Sequence, residues 1–416
     1  MSIECGRRID YLCAQANSLG ITVTPAGRKL MKDDYVKALR DHFIIEKYGS
    51  HENIPWALKF MLSIECPQLC RRIKDLKPEQ QSLVWESKDW IAEEKIDGVR
   101  QLIIWDSSEK KFHFYSRNNS VEDYLPQDYS DTILVLSKDF DYPNNFVLDC
   151  EVISTNPEAE TNIRCLTQLQ STAAILNLNP TDSKRVQQTS PLKFIIFDCL
   201  YDKDNLIDSK WIARHEHATK LAALLKKKGF SCDLNPVVEN TDKYPEAKRD
   251  FYDRVVSNNG EGVVLKNKNA VYHATSSRTI DCVKVKRSTT DTITNDIDAF
   301  VTDYVVGNDD TRNANMVVGF VFSVNMEKDD GTIVTHPIAT CSNVSDYIKE
   351  DATVIDEDGS VKLKPEYYGR VATVKGQNIS ARNLRLTHAV IEFWRPESSA
   401  DTCEILKESE LRSLVF

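Results

Sequence analysis

The segment IAEEKIDGVR, residues 91–100, holds a lysine in an unusual setting. Lys95 is followed by Asp97-Gly98, a turn dipeptide, and Arg100 then opens an apolar run. A lysine beside a tight turn at the mouth of a sheet is sterically free yet fixed in position. An amine nucleophile needs both properties, together with a lowered pKa, to attack phosphorus at neutral pH. Read alone, the segment is also compatible with a plain strand–turn–strand carrying surface charges.

Four further segments carry matching chemistry. In FVLDCEV, Asp149 and Glu151 alternate, so both carboxylates project from one face of a strand. FIIFDCLY sets Phe197 and Asp198 at the end of a buried strand. EGVVLK begins with Glu261 at a strand mouth and ends with Lys266, and CVKVKR puts Lys284 and Lys286 on one strand face. Two such cations can grip a phosphate. Singly, each segment reads as a strand with satisfied charges. Together, acidic strands and a lysine pair are what metal-assisted phosphoryl transfer requires.

In order and spacing, KIDGVR, YSRNN, LDCEV, FIIFDCLY, EGVVLK and VKVKR resemble the nucleotidyltransferase motifs of ATP-dependent DNA ligases. The resemblance spans about residues 90 to 287 and reaches the C-terminal segment through THAVIEFWR. It implies Lys95 as the acceptor of AMP from ATP and Glu93 as the reader of the adenine amino group. Arg100 and Arg117 would contact the ribose and phosphate side, and Glu151 and Glu261 would serve ribose or a divalent metal, Mg²⁺ or Mn²⁺. Phe197 would stack on adenine. Lys266 would belong to the nucleotide-binding set, and Lys284 and Lys286 would hold the α-phosphate in the transition state. AMP would then pass to the 5′-phosphate at a nick in double-stranded DNA, and the 3′-hydroxyl would displace it. The sequence departs from the family twice. Its last motif often ends Arg-x-Asp-Lys, but Arg395, which fits the motif arginine, precedes Pro396, Glu397 and Ser398; the glycine of LDGE is Cys150.

The elements that must position these residues follow from periodicity. Short apolar runs from Trp90 to Arg287 have strand length and alternate with polar or helical stretches. SKWIARHEHATKLAALLKKKG reads as an amphipathic helix ending at Gly229, and a helical connector is expected around Ile54 to Val84. RSTTDTITND, 287–296, is a candidate linker. Five strand-like runs beyond it fit a small barrel, about whose linker the resemblance implies a swing between two poses. Near the N-terminus, Ile9–Asn17 and a helix starting near Asp33 or Asp34 flank an extended segment. Tyr35, Ala38, Leu39 and Phe43 give that second helix one apolar face. With Arg28, Lys29 and Lys32 ahead of it, the module resembles the DNA-binding SAP motif; the alternative is a helical cap. The expected fold is therefore α+β. It comprises a SAP-like module (1–48), a nucleotidyltransferase domain of antiparallel sheets with an ATP-grasp-like adenylation architecture (49–287), and an OB-fold β-barrel (288–416).

Charge neither supports nor excludes a nucleic-acid partner. The net value is −10, and all of it falls from Asp291 onward, leaving the preceding part neutral. No run of about 18 apolar residues suggests a membrane span, nor does the N-terminus carry the apolar core of a secretory signal. The 11 cysteines are scattered, mostly in apolar runs, which reads as reduced thiols of a cytoplasmic protein (host-cell cytoplasm for a phage or viral one). A monomer is expected. An RNA ligase or an mRNA-capping guanylyltransferase would share the first motif, and a DNA-binding scaffold without catalysis would keep the fold alone. Glu93 two residues before the lysine and the helical extension favour a DNA ligase.

Overall fold

The structure, a computed structural model of the chain, describes residues 9–23, 31–120, 122–135, 140–155, 168–258, 260–286, 297–308, 311, 313–356, 358–376, 378–380, 382–396 and 398–413. Arg28, Lys29, the side chain of Lys32 and the expected linker at 287–296 lie outside the described residues. The chain forms two compact units, made chiefly of residues 12–287 and 288–416.

In the first unit every apolar run expected to be a strand is one. They build two sheets. The five-stranded sheet runs Leu69–Arg72, Arg278–Lys286, Gly262–Asn267, Trp90–Glu94, Val237–Glu239. It is antiparallel except for the parallel first pair. The larger sheet runs Pro126–Asp128, Lys111–Asn119, Val99–Asp106, Phe146–Ser154, Leu192–Asp202, Asp204–Asn205, and Cys232–Leu234 adds to it in parallel. The helix Trp211–Lys227 buries Ala218, Leu221, Ala222 and Leu225 in the core of the larger sheet, and Gly229 follows it at φ 84°. Only glycine takes that backbone shape without strain. Buried Asn235 ties the two sheets together: its N–H donates to Ile196 O at 2.7 Å and its Nδ2 to Glu94 O at 3.0 Å.

The expected helical connector is instead two helices, Trp56–Ser63 and Pro78–Glu86, separated by the edge strand Leu69–Arg72. That strand is four residues long and polar (LCRR), too short to show a period-2 pattern, and its pairing with Arg278–Lys286 creates it.

Near the N-terminus the helices Ile9–Ser18 and Lys32–Tyr48 are present, with Asp33 and Asp34 in the first turn of the second. Met31 N–H donates to the Asp34 carboxylate at 2.7 Å, the inner half of a capping arrangement. Leu12, Ala16, Val36 and Leu39 share a cluster with Tyr124, just ahead of the strand Pro126–Asp128, and Arg40 Nε donates to Tyr124 O at 2.9 Å. Further along the same helix, Ile44 packs with Leu58, Leu102 and Ile104. The second helix is therefore fastened to the rest of the first unit along its length.

The second unit is a sheet ordered Ile333–Cys341, Val317–Glu327, Ile297–Val306, Val371–Lys375, Val390–Arg395, with Leu406–Lys407 parallel to Val317–Glu327. Phe320, Phe322, Tyr367 and Trp394 pack in its core. The closed barrel expected from the sequence is not found: among the described residues no ladder joins the first strand of this order to the last. A side chain spans the gap instead. Asn343 Nδ2 donates to Ile391 O and Ile391 N–H donates to Asn343 Oδ1, both at 2.9 Å. An amide side chain thus stands in for backbone pairing, which no strand-length pattern reveals.

Candidate active site

The face of the smaller sheet and the face of the larger one line a cavity of about 420 Å³. Strand register sets the first wall. Glu93, Val264 and Lys284 are aligned across three adjacent strands, and Lys266 and Cys282 are paired two residues along. From the larger sheet come Arg100, Asp149, Glu151, Phe197 and Asp198. Asp149 and Glu151 both reach the cavity, as their alternation requires, although they lie inside the strand Phe146–Ser154 and not at its end. Phe197 and Asp198 are likewise mid-strand, in Leu192–Asp202. The ladder passes from Asp198 to Ile196, leaving Phe197 as a bulge residue, and so both side chains line the same cavity. Asp198 is held by buried Arg214 through two bonds of 2.8 and 3.0 Å.

Lys95 stands beside the turn, as its sequence context suggests. Its N–H donates to Gly262 O at 2.9 Å, which brings Glu261 to its side. Two glycines make these approaches. A Cβ at Gly98 would stand 2.3 Å from Val152 O, and one at Gly262, whose φ is 133°, would stand 2.1 Å from Val285 O. Glu261 holds Lys95 Nζ on one carboxylate oxygen and Lys286 Nζ, at 2.6 Å, on the other. Burial works against charge on Glu261, but Lys95 and then Lys286 outweigh it and keep its carboxyl below the usual range.

Glu93 is 2% exposed and accepts from Lys266 Nζ at 2.7 Å through Oε2. Its Oε1 is buried with no hydrogen-bond partner. Burial pushes the Glu93 carboxyl up to about 7 against the pull of Lys266. Burial also penalises the Lys266 ammonium, but Glu93 and Asp198 raise its pKa above the usual lysine value. That ammonium lies 4.7 Å from the Phe197 ring centroid and donates to Phe197 O at 3.2 Å. Burial raises Glu151 to about 7 as well, against Arg100 and Lys95.

Arg100 does not point its donors freely into the cavity. Nε and NH2 grip Asp149 at 2.9 and 2.5 Å, and NH1 donates to Gln68 O at 2.6 Å. Tyr272 completes this cluster, donating to Asp149 Oδ2 at 2.6 Å. Gln68 and Tyr272 come from loops with no pattern of their own, and nothing in the sequence marked them. Arg117 is exposed on the rim. Eight of the expected residues therefore line one cavity: Glu93, Lys95, Arg100, Arg117, Glu151, Phe197, Lys266 and Lys284. Glu261 and Lys286 do not line it and reach it through Lys95. Arg395 belongs to the second unit, where its Nε lies 3.1 Å from Asp298 and 3.0 Å from Thr373 Oγ1.

Two mostly antiparallel sheets thus enclose a cavity with a lysine at its mouth, an arrangement suited to nucleotidyl transfer. A solved structure named Pmar-Lig_PreS3 has the same fold, with a TM-score of 0.54 at 18% identity over 83% of this chain and 72% of that one. Residues 67–286 match the ATP dependent DNA ligase domain, and the chain belongs to that family. Over 242 residues it is 28% identical to DNA ligase 4 of Cryptococcus neoformans var. neoformans, a stretch covering 56% of this chain and 22% of that protein. Over 214 residues it is 30% identical to DNA ligase 4 of Phaeosphaeria nodorum, covering 47% and 20%. The chain thus spans only about a fifth of the length of these relatives.

Proposed function

We propose that this protein is an ATP-dependent DNA ligase that seals nicks in double-stranded DNA through a lysyl-AMP on Lys95. The unpaired Oε1 of Glu93 carries the nucleotide half of this reading. A buried acceptor left without a donor costs about 1–3 kcal/mol, and a ligand N–H removes that cost. The exocyclic amine of adenine supplies such a donor, whereas the corresponding oxygen of guanine would face a carboxylate. Phe197, with Lys266 and Arg100 beside its ring, offers a flat surface for the base.

Lys95 Nζ, freed of a proton, attacks the α-phosphorus; the bond to the bridging oxygen breaks and pyrophosphate leaves. Lys284 meets the charge that builds on the α-phosphate. In the later steps AMP moves to the 5′-phosphate of the nick, and the 3′-hydroxyl displaces it. Mg²⁺ or Mn²⁺, when bound, would neutralise phosphate charge. Glu151 is suited to hold it, being half-buried in the cavity lining and in no ion pair among the described residues. Glu261 could take that part only by releasing a lysine, since both its oxygens hold ammonium groups. Arg28 and Lys29, ahead of the second helix in sequence, and Lys32, its first residue, are proposed to bind duplex phosphates. Among the described residues no helix is long and apolar enough to cross a membrane. The described cysteines are free, which suits a reducing, cytoplasmic setting.

Incubation with α-labelled ATP or GTP and a denaturing gel tests the reading, with a nicked duplex as second substrate. ATP should label the chain and the nick should close. Labelling by GTP alone would point to capping chemistry, and labelling by neither to a binding scaffold.

Glu93 gives the reading a pH signature. The ionised carboxylate is the acceptor form, so with the group near 7 ATP affinity is full above that pH and declines below it. The apparent Kd of ATP for the Lys95→Ala protein should weaken by up to about tenfold per unit below pH 7, the slope of one essential proton. Glu93→Gln should flatten that part of the profile, leaving only the titration of the nucleotide phosphates. Identical profiles in the two proteins would remove Glu93 from base recognition.

A further inference from the structure

Two cysteines in the cavity wall have no part in the transfer chemistry. Cys70 is on the edge strand Leu69–Arg72 and Cys282 on its partner Arg278–Lys286; their sulfurs are 2.8 Å apart, and both line the cavity. A slip in register brings them together. Cys70 pairs with Thr279 but Arg71 pairs with Val283, so residues 280–282 face no partner on the short strand. Cys70 is half-buried and open to small molecules that enter the cavity. Contact with the Cys282 thiol lowers the Cys70 pKa to about 6 against the effect of burial, with help from Arg100, Lys266 and Lys284. Thiolate character and access are the two properties that select a cysteine for oxidation.

We propose that Cys70 and Cys282 form an oxidisable dithiol, which a hydroperoxide closes to a disulfide and a dithiol reductant reopens, and that closure suppresses loading of Lys95. The Cys70 thiolate attacks a peroxide oxygen, the O–O bond breaks, and hydroxide leaves a sulfenic acid. Cys282 then attacks that sulfur, water departs with its proton, and the S–S bond forms. A dithiol reductant returns the two electrons and is itself oxidised to a disulfide. Closure shortens the sulfur separation to about 2.05 Å. It also removes an anion from beside three cations and fixes the edge strand to the strand that carries Lys284. Cys282 is two residues before Lys284 on the same face and directly opposite Lys266. The bond therefore acts where the nucleotide phosphates are proposed to sit. Suppression of loading rests on the ligase reading; formation of the bond does not.

The test uses the full chain and hydrogen peroxide, followed by alkylation and tryptic digestion without reduction. The expected product joins peptide 60–71 to peptide 279–284, with fragmentation separating Cys70 from Cys66 in the first peptide. Labelling of Lys95 by α-labelled ATP should fall at least tenfold in step with linkage and return on adding dithiothreitol. Cys282→Ser should form no peptide joined to residues 279–284, so its labelling should show no loss in step with linkage. A link through Cys66, or oxidation of Cys70 to the sulfinic acid with no link, overturns the pair. Complete linkage with unchanged labelling overturns the switch. If the reduced protein itself fails to label, the ligase reading falls, and the peptide map still decides whether the dithiol exists.

Discussion

Lys95→Ala should form no lysyl-AMP, with adenylation reduced by about 10⁴-fold or more, the scale of losing a covalent nucleophile. The structure separates this loss from a loss of folding. Lys95 is partly exposed, and its ammonium meets Glu261, which keeps Lys286 at 2.6 Å when Lys95 is cut back. No buried charge is orphaned, so the melting temperature should change little. Glu93, Lys266 and Phe197 are untouched, so ATP should still bind. Lys95→Arg should fail equally, because a guanidinium stays protonated and cannot attack phosphorus. Single-turnover labelling and peptide mass spectrometry measure both variants. An AMP adduct recovered on any other lysine would overturn the assignment.

Strand positions were legible because their signal is local. Runs such as LKFIIFDCLY and CVKVK are apolar or alternating over a strand's length, and alternation alone put Asp149 with Glu151 on one face. The lysine's setting was legible because Gly98 and Gly262 are required by backbone approaches closer than a Cβ permits. What stayed hidden depends on partners far along the chain. The bulge that turns Phe197 and Asp198 toward one cavity comes from register with Phe146–Ser154. Tyr272 and Gln68 join the Arg100–Asp149 pair from loops. The meeting of Cys70 with Cys282 spans 212 residues of sequence. In the sequence Cys70 lies nearest to Cys66, four residues before it. Among the described residues no strand pairing closes the expected barrel, and the Asn343 side chain that reaches Ile391 there leaves no periodic signal in the sequence.

The lysine pair read from CVKVKR divides into two roles, and substitution should expose the division. Lys284 lines the cavity, half-buried, and makes no ion pair among the described residues. Burial, and then Arg278 and Lys286, hold its ammonium below the usual lysine value. A partly desolvated cation without an anion is poorly satisfied until a phosphate arrives, so its attraction is concentrated on the ligand. Lys284→Ala should therefore slow adenylyl transfer by about 10²-fold or more, the effect of removing one pre-placed charge from a transition state. The melting temperature should hold or rise slightly, because the folded chain loses an unpaired charge. Lys286 is more exposed and is bound to Glu261 at 2.6 Å, outside the cavity lining. Lys286→Ala leaves Glu261 with Lys95 alone and tightens that contact. It should act on how readily Lys95 is released to attack, and the pH–rate profile should shift. Lys284→Ala should lower the whole profile without moving it. Single-turnover labelling across pH, with thermal melts of both variants, distinguishes the two. If Lys284→Ala loses stability yet keeps normal activity per folded molecule, its charge serves the fold and not the phosphate.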